Sequence, residues 1–255
     1  MLKRMGHLVI TGASRGIGRA LALELARRGH PGLVLTARDE ERLTSLATEL
    51  TAAGSPPQIV AGDLGSLEAA RALGRRLAEV VSSGSTLVHN AGVWPVRREL
   101  NADGLERAFV VNHLGPLAMQ AHLLEEARLA RILVVSAGLI VKGRFDPERT
   151  PEGADFSRFR TYCSTKLCFA VTLRELAADH PELDVLILHP GVVRTDLGAS
   201  PQRRARAASQ ISWRSPGGRS RARLRGGSRI GRLRGRAPPT TPPSPAASAS
   251  PPAAG

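Results

Sequence analysis

Short apolar runs rich in β-branched residues recur along roughly the first 190 residues, and polar or amphipathic stretches separate them. A nearly continuous apolar run is typical of a parallel strand that is covered on both faces of its sheet. The pattern predicts six strands, at residues 8–11, 33–36, 58–61, 86–89, 131–136 and 184–189.

The stretches between these runs have the spacing of amphipathic helices. Ser66 and Asp39 are suitable N-cap residues, the latter for a helix that begins at Glu40, and Gly29 is a natural helix end. The longer predicted helices span residues 17–28, 67–81, 103–127 and 158–179.

Strands and helices that alternate in this way predict a doubly wound α/β fold. Its sheet is parallel, has about six strands and is joined by right-handed crossovers. In such sheets ligands bind beyond the carboxyl ends of the strands, so candidate chemistry is sought in the loops that follow each strand.

The periodicity stops after Leu197. Residues 201–255 hold 12 arginines and no lysine, aspartate or glutamate, and the rest of the segment is mostly proline, glycine, serine and alanine. Such a composition buries too little apolar surface to offset the entropy of ordering. We therefore predict one domain over residues 1–198 and a disordered tail over residues 199–255.

The formal net charge of +14 belongs almost entirely to this tail, because residues 1–200 carry 24 basic and 22 acidic side chains. The tail has a single aromatic residue, Trp213, and no recognisable nucleic-acid-binding motif. Nonspecific attraction to polyanions is expected, and specific binding of a nucleic acid is not.

The compartment is judged from the apolar runs and the cysteines. No run approaches the roughly 18 apolar residues of a membrane span, and the basic, then apolar N-terminus leads directly into a glycine motif. Cys163 and Cys168 lie five positions apart on one predicted helix and point to different faces, so they are expected to be free thiols. A reducing, cytoplasmic location is expected.

Tyr162 is the only tyrosine in the chain, and Lys166 follows it by four residues within a predicted helix. That spacing places both side chains on one helix face. An ammonium nearby is expected to lower the pKa of the phenol from about 10, so that the tyrosine can transfer a proton at neutral pH. An incidental pair on a helix surface is the alternative.

The segment "TGASRGIG" (11–18) joins the first strand to the first helix. Gly12 permits a tight turn, Gly16 lets the backbone approach a pyrophosphate, and Gly18 allows the helix to pack closely on the strand. The helix N-terminus offers backbone N–H groups to phosphate. The loop is therefore a candidate dinucleotide-binding site.

The chain resembles the short-chain dehydrogenases/reductases, because five motifs follow one another in that family's order. The motifs are "TGASRGIG", "NAG" (90–92), "VNHLG" (111–115), "YCSTK" (162–166) and "HPGVVRTDL" (189–197). The last three are most similar to the retinol-dehydrogenase-like subgroup, and the match covers about residues 5–198. The resemblance implies a Rossmann-like fold and a nicotinamide-dependent oxidoreductase that interconverts carbonyls and alcohols.

The resemblance also implies roles for single residues. Tyr162 would be the acid or base, Lys166 would tune it and bind the nicotinamide ribose, and Asn112 would hold a water that relays protons. Val193 and Thr195 would contact the nicotinamide end. The remaining cofactor-binding positions would be Gly12, Ser14, Arg15, Gly16, Ile17, Gly18, Arg38, Asp63, Leu64, Asn90, Ala91 and Gly92.

The residues at the end of the second strand bear on the choice of cofactor. Ala37 occupies the position where an NAD enzyme usually carries an acid, and Arg38 follows it. With Arg15 in the glycine loop, two guanidinium groups suit a 2′-phosphate, so NADP(H) is expected in preference to NAD(H). Asp39 as the ribose-binding acid is the alternative to its role as a helix cap.

Two features depart from the family. The fifth strand ends in Ser136 and Ala137, whereas the family usually has two small polar residues there, the second being the catalytic serine. Ser136 either fills that role through a bulge or points away as a structural hydroxyl. The tail stands where the family has a substrate-covering loop, a helix and a seventh strand, which would leave the sixth strand as an unpaired edge. A shifted reading frame would produce such a composition.

Three functions remain open on the sequence: an NADP(H)-dependent oxidoreductase, a cofactor-binding relative with impaired or no catalysis, and a polyanion-binding protein. The expected partner is a small-molecule carbonyl or alcohol, with homo-oligomers possible. His89, His113 and His189 match no metal-ligand spacing, so no metal is expected. Trp94 either lines the pocket or packs in the core.

Overall fold

The computed structural model describes residues 6–126, 129–191 and 231–232, and its centre is one parallel sheet. The strands in spatial order are β3, β2, β1, β4, β5, β6 and β7, of which only β7 is antiparallel to its neighbour. Their bounds are β1 (Leu8–Thr11), β2 (Leu33–Thr36), β3 (Gln58–Ile59), β4 (Thr86–His89), β5 (Arg131–Val135), β6 (Asp184–Leu188) and β7 (Gly231–Arg232). The predicted Rossmann-like α/β fold is confirmed.

The helices lie between the strands, as predicted. They are α1 (Gly16–Arg27), α2 (Glu40–Ala52), α3 (Leu67–Val80), α4 (Arg107–Phe109), α5 (Gly115–Glu125) and α6 (Arg158–Asp179). A π-helical turn (Val110–Leu114) joins α4 to α5, and a 3₁₀ helix (Gly138–Lys142) follows β5. The predicted helix at 158–179 has the same bounds as α6.

The single helix predicted at 103–127 is wrong in two respects. It begins later, because the Asn101 side chain accepts hydrogen bonds from the backbone N–H groups of Asp103 and Leu105 and holds residues 101–105 in a turn. It is also interrupted by the π-helical turn at Val110–Leu114. Such single turns often mark functional sites, and this one carries Asn112.

The predicted helix caps are confirmed. The Asp39 carboxylate accepts a hydrogen bond from the backbone N–H of Arg42 at 3.1 Å, and the Ser66 hydroxyl accepts one from that of Ala69 at 3.2 Å. Gly29 has a φ of 68° just after α1, a conformation that favours glycine.

Side chains of the strands alternate between two apolar layers. On one face Val9, Leu87 and Ile132 pack with residues of α3, α5 and α6. On the other face Ile10 and Leu35 pack with residues of α1 and α2. Because both faces are covered, the carboxyl ends of the strands are the part of the sheet left for ligands.

The edge formed by β6 is not free. Leu186 pairs with Arg232 and Ile187 pairs with Gly231, so the prediction of an unpaired sixth strand is wrong at these positions. An edge strand has backbone N–H and C=O groups ready to pair, which explains why a short segment can add to it. The rest of the predicted tail lies outside the described residues. None of the helices in the described part of the chain is long and apolar enough to span a membrane.

Candidate active site

A cleft lies beyond the carboxyl ends of β1, β2, β4 and β5, and most of the predicted site residues line it. They are Gly12, Ser14, Arg15, Gly16, Ile17, Arg38, Asp63, Leu64, Asn90, Ala91, Gly92, Ser136, Tyr162 and Lys166. Gly18 and Asn112 lie behind this lining, next to Asn90 and Gly92 respectively. Val193 and Thr195 fall outside the described residues.

The glycine loop forms the floor of the cleft. Gly12 and Gly16 have φ values of 65° and 55°, which other residues rarely adopt. A Cβ atom on Gly18 would lie 2.5 Å from both the Asn90 side-chain nitrogen and the Gly12 carbonyl oxygen. The N-cap residue of α1, Arg15, makes no side-chain cap hydrogen bond to the first turn, and N–H groups at a helix N-terminus suit an anion in the cleft.

Thr11 connects the glycine loop to the loop after β4. Its hydroxyl oxygen accepts hydrogen bonds from the backbone N–H groups of Asn90 and Ala91, both at 3.0 Å, and donates to the Val88 carbonyl. The Asn90 amide donates in turn to the carbonyls of Thr11 and Gly12. Thr11 is the first residue of the glycine motif, but its role in joining the two loops could not be read from the sequence.

Tyr162 and Lys166 form the opposite wall, on α6. Both are buried, with 6% and 5% of their surfaces exposed. The Lys166 ammonium donates to the Val135 carbonyl at 3.3 Å. A Cβ atom on Gly92 would lie 3.3 Å from the Lys166 nitrogen and 3.2 Å from the Asn112 oxygen, so a glycine keeps this space open.

Asn112 holds the loop after β4 against α6. Its oxygen accepts from the Val93 N–H at 2.7 Å, and its nitrogen donates to the Val93 carbonyl at 2.9 Å and to the Thr165 hydroxyl at 3.1 Å. The amide is thus engaged with protein groups on two elements. Its predicted water relay to Lys166 stays a prediction.

Burial controls the protonation of the Tyr162–Lys166 pair. It lowers the pKa of Lys166 from 10.5 to about 8. It also raises the pKa of Tyr162, and charge on the neighbouring Cys163 thiol adds to that effect. The expected lowering of the Tyr162 pKa is therefore wrong for the structure, because desolvation of the phenolate outweighs any attraction to the ammonium.

Three arginines line the cleft: Arg15 in the glycine loop, and Arg38 and Arg42 after β2. Arg42 was not identified from the sequence. Its Nε atom lies 3.1 Å from an oxygen of Asp39, whose other oxygen caps α2. Asp39 is thus engaged as a cap and as a partner of Arg42, while Ala37 offers no acid to a ribose.

Ser136 continues the sheet beyond β5, where its N–H donates to the Leu188 carbonyl at 2.8 Å. Its hydroxyl oxygen is buried and makes no hydrogen bond within the described part of the chain. Ala137 lines the cleft beside it. Ser136 thus lines the same cleft as Tyr162, while its hydroxyl oxygen is shielded from solvent.

The family described as short chain dehydrogenase matches residues 6–205. The chain belongs to the short-chain dehydrogenase family. Retinol dehydrogenase 14 of Mus musculus is 34% identical over 208 residues, which cover 75% of this chain and 62% of the relative. Retinol dehydrogenase 13 of Homo sapiens is 32% identical over 199 residues, which cover 75% and 60%. The predicted resemblance to the retinol-dehydrogenase-like subgroup is confirmed.

Solved short-chain dehydrogenase structures share the fold. An alcohol dehydrogenase from the archaeon Thermococcus sibiricus, complexed with 5-hydroxy-NADP, matches with a TM-score of 0.61 and 28% identity over 81% of this chain and 88% of that one. A short-chain dehydrogenase from Sphingobium yanoikuyae in complex with NADPH matches with a TM-score of 0.58 and 26% identity over 76% and 74%.

This short-chain dehydrogenase chain spans about 60% of the length of the two retinol dehydrogenases. The family match over residues 6–205 contains the glycine loop, the helix with Tyr162 and Lys166, and the other residues that line the cleft described above.

Proposed function

We propose that this short-chain dehydrogenase interconverts a carbonyl and an alcohol with NADP(H), and that Tyr162 is the acid or base. The observation that carries the proposal is the buried pair of Tyr162 and Lys166, which faces a glycine loop across one cleft. Nucleotide binding alone would explain the glycine loop but not the buried Tyr–Lys pair. An incidental Tyr–Lys pair on a helix surface would explain neither its burial nor the glycine loop that it faces.

The residues of the cleft fit a dinucleotide. The loop at Gly12 and Gly16 and the N-terminus of α1 suit a pyrophosphate, and the space that Gly92 leaves beside Lys166 suits a ribose. Asp63 and Leu64 would border the adenine, and Val193 and Thr195 would contact the nicotinamide end. When bound, the nicotinamide supplies or accepts the hydride.

The chain itself supplies the proton. A buried phenol with a raised pKa stays protonated at neutral pH and is therefore ready to donate to a carbonyl oxygen. Lys166, with a pKa of about 8, exchanges protons easily near neutral pH and would return one to Tyr162. Asn112 keeps the loop after β4 fixed against the helix that carries both residues.

The preference for NADP(H) over NAD(H) rests on charge at the end of β2. Arg38 and Arg42 after β2, with Arg15 of the glycine loop, line the cleft, and guanidinium groups suit a phosphate dianion. Two similar solved dehydrogenases carry 5-hydroxy-NADP or NADPH, which supports the proposal.

Replacing Arg38 by Asp should weaken NADPH binding about tenfold or more and leave NADH binding nearly unchanged. Arg71→Ala, on the exposed side of α3, is the control.

A second candidate function is NADP(H) binding with impaired catalysis. The observation that favours it is Ala137 at the position where the family carries its catalytic serine, together with the buried Ser136 hydroxyl. Loss of one hydrogen-bond donor to a developing oxyanion costs about 10²-fold or more in rate.

Two measurements on the unmodified chain separate the candidates. NADPH binding is followed by cofactor fluorescence, and NADPH oxidation is followed with a panel of aliphatic and aromatic aldehydes and ketones. Binding with turnover supports the oxidoreductase, and binding with no turnover above the uncatalysed rate supports the second candidate. Absence of NADPH binding would contradict both.

A further inference from the structure

Trp94 stacks on Tyr162. The two ring centroids are 4.3 Å apart and the planes differ by 26°, so the indole lies over one face of the phenol. Phe159, three residues before Tyr162 on α6, lies 6.1 Å from the same indole at a tilt of 55°. Offset contacts of this kind stabilise aromatic pairs beyond the area that they bury.

The backbone beside Trp94 is fixed by hydrogen bonds rather than by the stack alone. Asn112 binds both the N–H and the carbonyl of Val93, the residue before Trp94. The same amide donates to the Thr165 hydroxyl, which donates to the Tyr162 carbonyl at 2.9 Å. One side chain thus connects the backbone beside Trp94, through Thr165, to the backbone carbonyl of Tyr162.

We propose that Trp94 is a positioning residue for Tyr162: its indole fixes the orientation of the phenol and keeps water from one face of that ring. This assignment to catalysis rests on the proposed function of Tyr162, whereas the stacking and the exclusion of water do not. Tyr162 keeps only 6% of its surface exposed. Without the indole, that face of the phenol would be open to solvent, and the ring could rotate.

The protonation of Tyr162 agrees with this arrangement. Burial is the main cause of its raised pKa, ahead of the charge on Cys163. Among the described residues, the titratable neighbours of Tyr162 on its own helix are Cys163 and Lys166, and His189 lines the same cleft from the end of β6. Removal of an uncharged indole changes none of these charges, so its effect on the phenol isolates the exclusion of water.

The chain offers a direct readout, because Tyr162 is its only tyrosine. Phenol ionisation, measured by ultraviolet difference absorbance without cofactor or substrate, therefore reports Tyr162 alone. A stopped-flow jump to each alkaline pH records the ionisation before the chain unfolds, and circular dichroism confirms that the fold persists. The variants are Trp94→Ala and Trp94→Phe. The control is Phe145→Ala, which removes a ring that stacks on Phe109 rather than on Tyr162.

Trp94→Ala should move the midpoint of Tyr162 ionisation toward the ordinary value of about 10. In Trp94→Phe the midpoint should stay nearly as high as in the unmodified chain, and in Phe145→Ala it should not change. If Trp94→Ala does not fold, Trp94→Gln tests the same point, since its polar amide brings water to the face of the phenol that the indole covers. An unchanged midpoint in the folded Ala or Gln variant, or an equal shift in Phe145→Ala, would overturn the proposal.

Turnover provides the second test. Trp94→Ala should lower kcat about three- to tenfold and shift its pH profile, with KM for NADPH unchanged, and Trp94→Phe should recover most of the rate. A change in KM for NADPH with kcat constant would contradict a positioning role. The absorbance titration remains decisive even if the unmodified chain shows no turnover, so failure of the proposed function and failure of this inference are distinguishable.

Discussion

At the scale of single residues, burial has more influence on the Tyr162–Lys166 pair than their mutual charge. Burial disfavours the charged form of each side chain, so it raises the pKa of the phenol and lowers that of the ammonium. The spacing of the two residues could be read from the sequence, but the degree of burial depends on Trp94 and on the strands below, which are distant in the chain.

The two residues at the end of β5 give a prediction at this scale. Ala137→Ser should raise kcat about tenfold or more, because it restores a hydroxyl where the family carries one, beside the open cleft. Ser136→Ala should change kcat little, since its hydroxyl is buried and has no hydrogen-bond partner among the described residues. Steady-state rates with saturating NADPH measure both. A 10²-fold loss in Ser136→Ala would instead show that Ser136 serves as the donor.

At the scale of elements, the strands and the regular helices were predictable from apolar runs and caps. The interruption at Val110–Leu114 was not, because a π-helical turn leaves no periodic signal in the sequence. The start of α4 was also missed. It depends on Glu106, whose carboxylate accepts from the N–H of Phe109 while its backbone N–H donates to the Pro151 carbonyl. Contacts with a segment 45 residues away could not be read locally.

Glu106 gives a prediction for the element it caps. It is fully buried, one carboxylate oxygen has no hydrogen bond among the described residues, and burial raises its pKa. The folded state therefore binds the proton more tightly than the unfolded state, and stability is lost as pH rises through the raised pKa. Glu106→Gln removes this dependence.

The difference in Tm between Glu106→Gln and the unmodified chain should therefore become more positive from pH 4 to pH 8. A tenfold difference in proton affinity between the folded and unfolded states corresponds to about 1.4 kcal/mol in the free energy of unfolding. Thermal unfolding followed by circular dichroism at several pH values measures it, with the exposed Glu68→Gln on α3 as the control. A difference that is constant with pH would mean that Glu106 is not a buried acid.

At the scale of the whole molecule, the fold and the cleft were largely predictable because they depend on local signals in a fixed order. Each strand is an apolar run, and each loop at its carboxyl end carries a short motif such as Gly12–Gly18 or Asn90–Gly92. Two features that could not be predicted depend on contacts between distant segments: Thr11 between two loops, and the pairing of Gly231–Arg232 with β6. The ion pair of Asp39 with Arg42 is local, three residues apart at the start of α2, but nothing in the sequence singled it out.

The buried histidines predict how the whole domain responds to acid. Burial lowers the pKa values of His89 and His113 from 6.5 to about 4. The unfolded state therefore binds more protons between these pH values, and stability falls as pH decreases from about 6.5 to about 4. Each histidine should contribute on the order of 3 kcal/mol to that loss.

Replacement of His89 by Asn should flatten this acid dependence, whatever it does to stability at neutral pH. His180→Asn, at a half-exposed position paired with Glu182, is the control. Urea unfolding between pH 4 and pH 7 measures the slope of the unfolding free energy. Equal slopes in the two variants would show that His89 is not held neutral by the fold.

If Tyr162 transfers the proton during carbonyl reduction, its replacement should slow the single-turnover oxidation of bound NADPH by an aldehyde or ketone. Tyr162→Phe should bind NADPH with nearly the affinity of the unmodified chain and lose at least about 10²-fold of the rate of the chemical step, because only the phenolic proton is removed. Val171→Ala, an exposed position on the same helix, should leave both unchanged. An undiminished single-turnover rate in Tyr162→Phe would contradict the account.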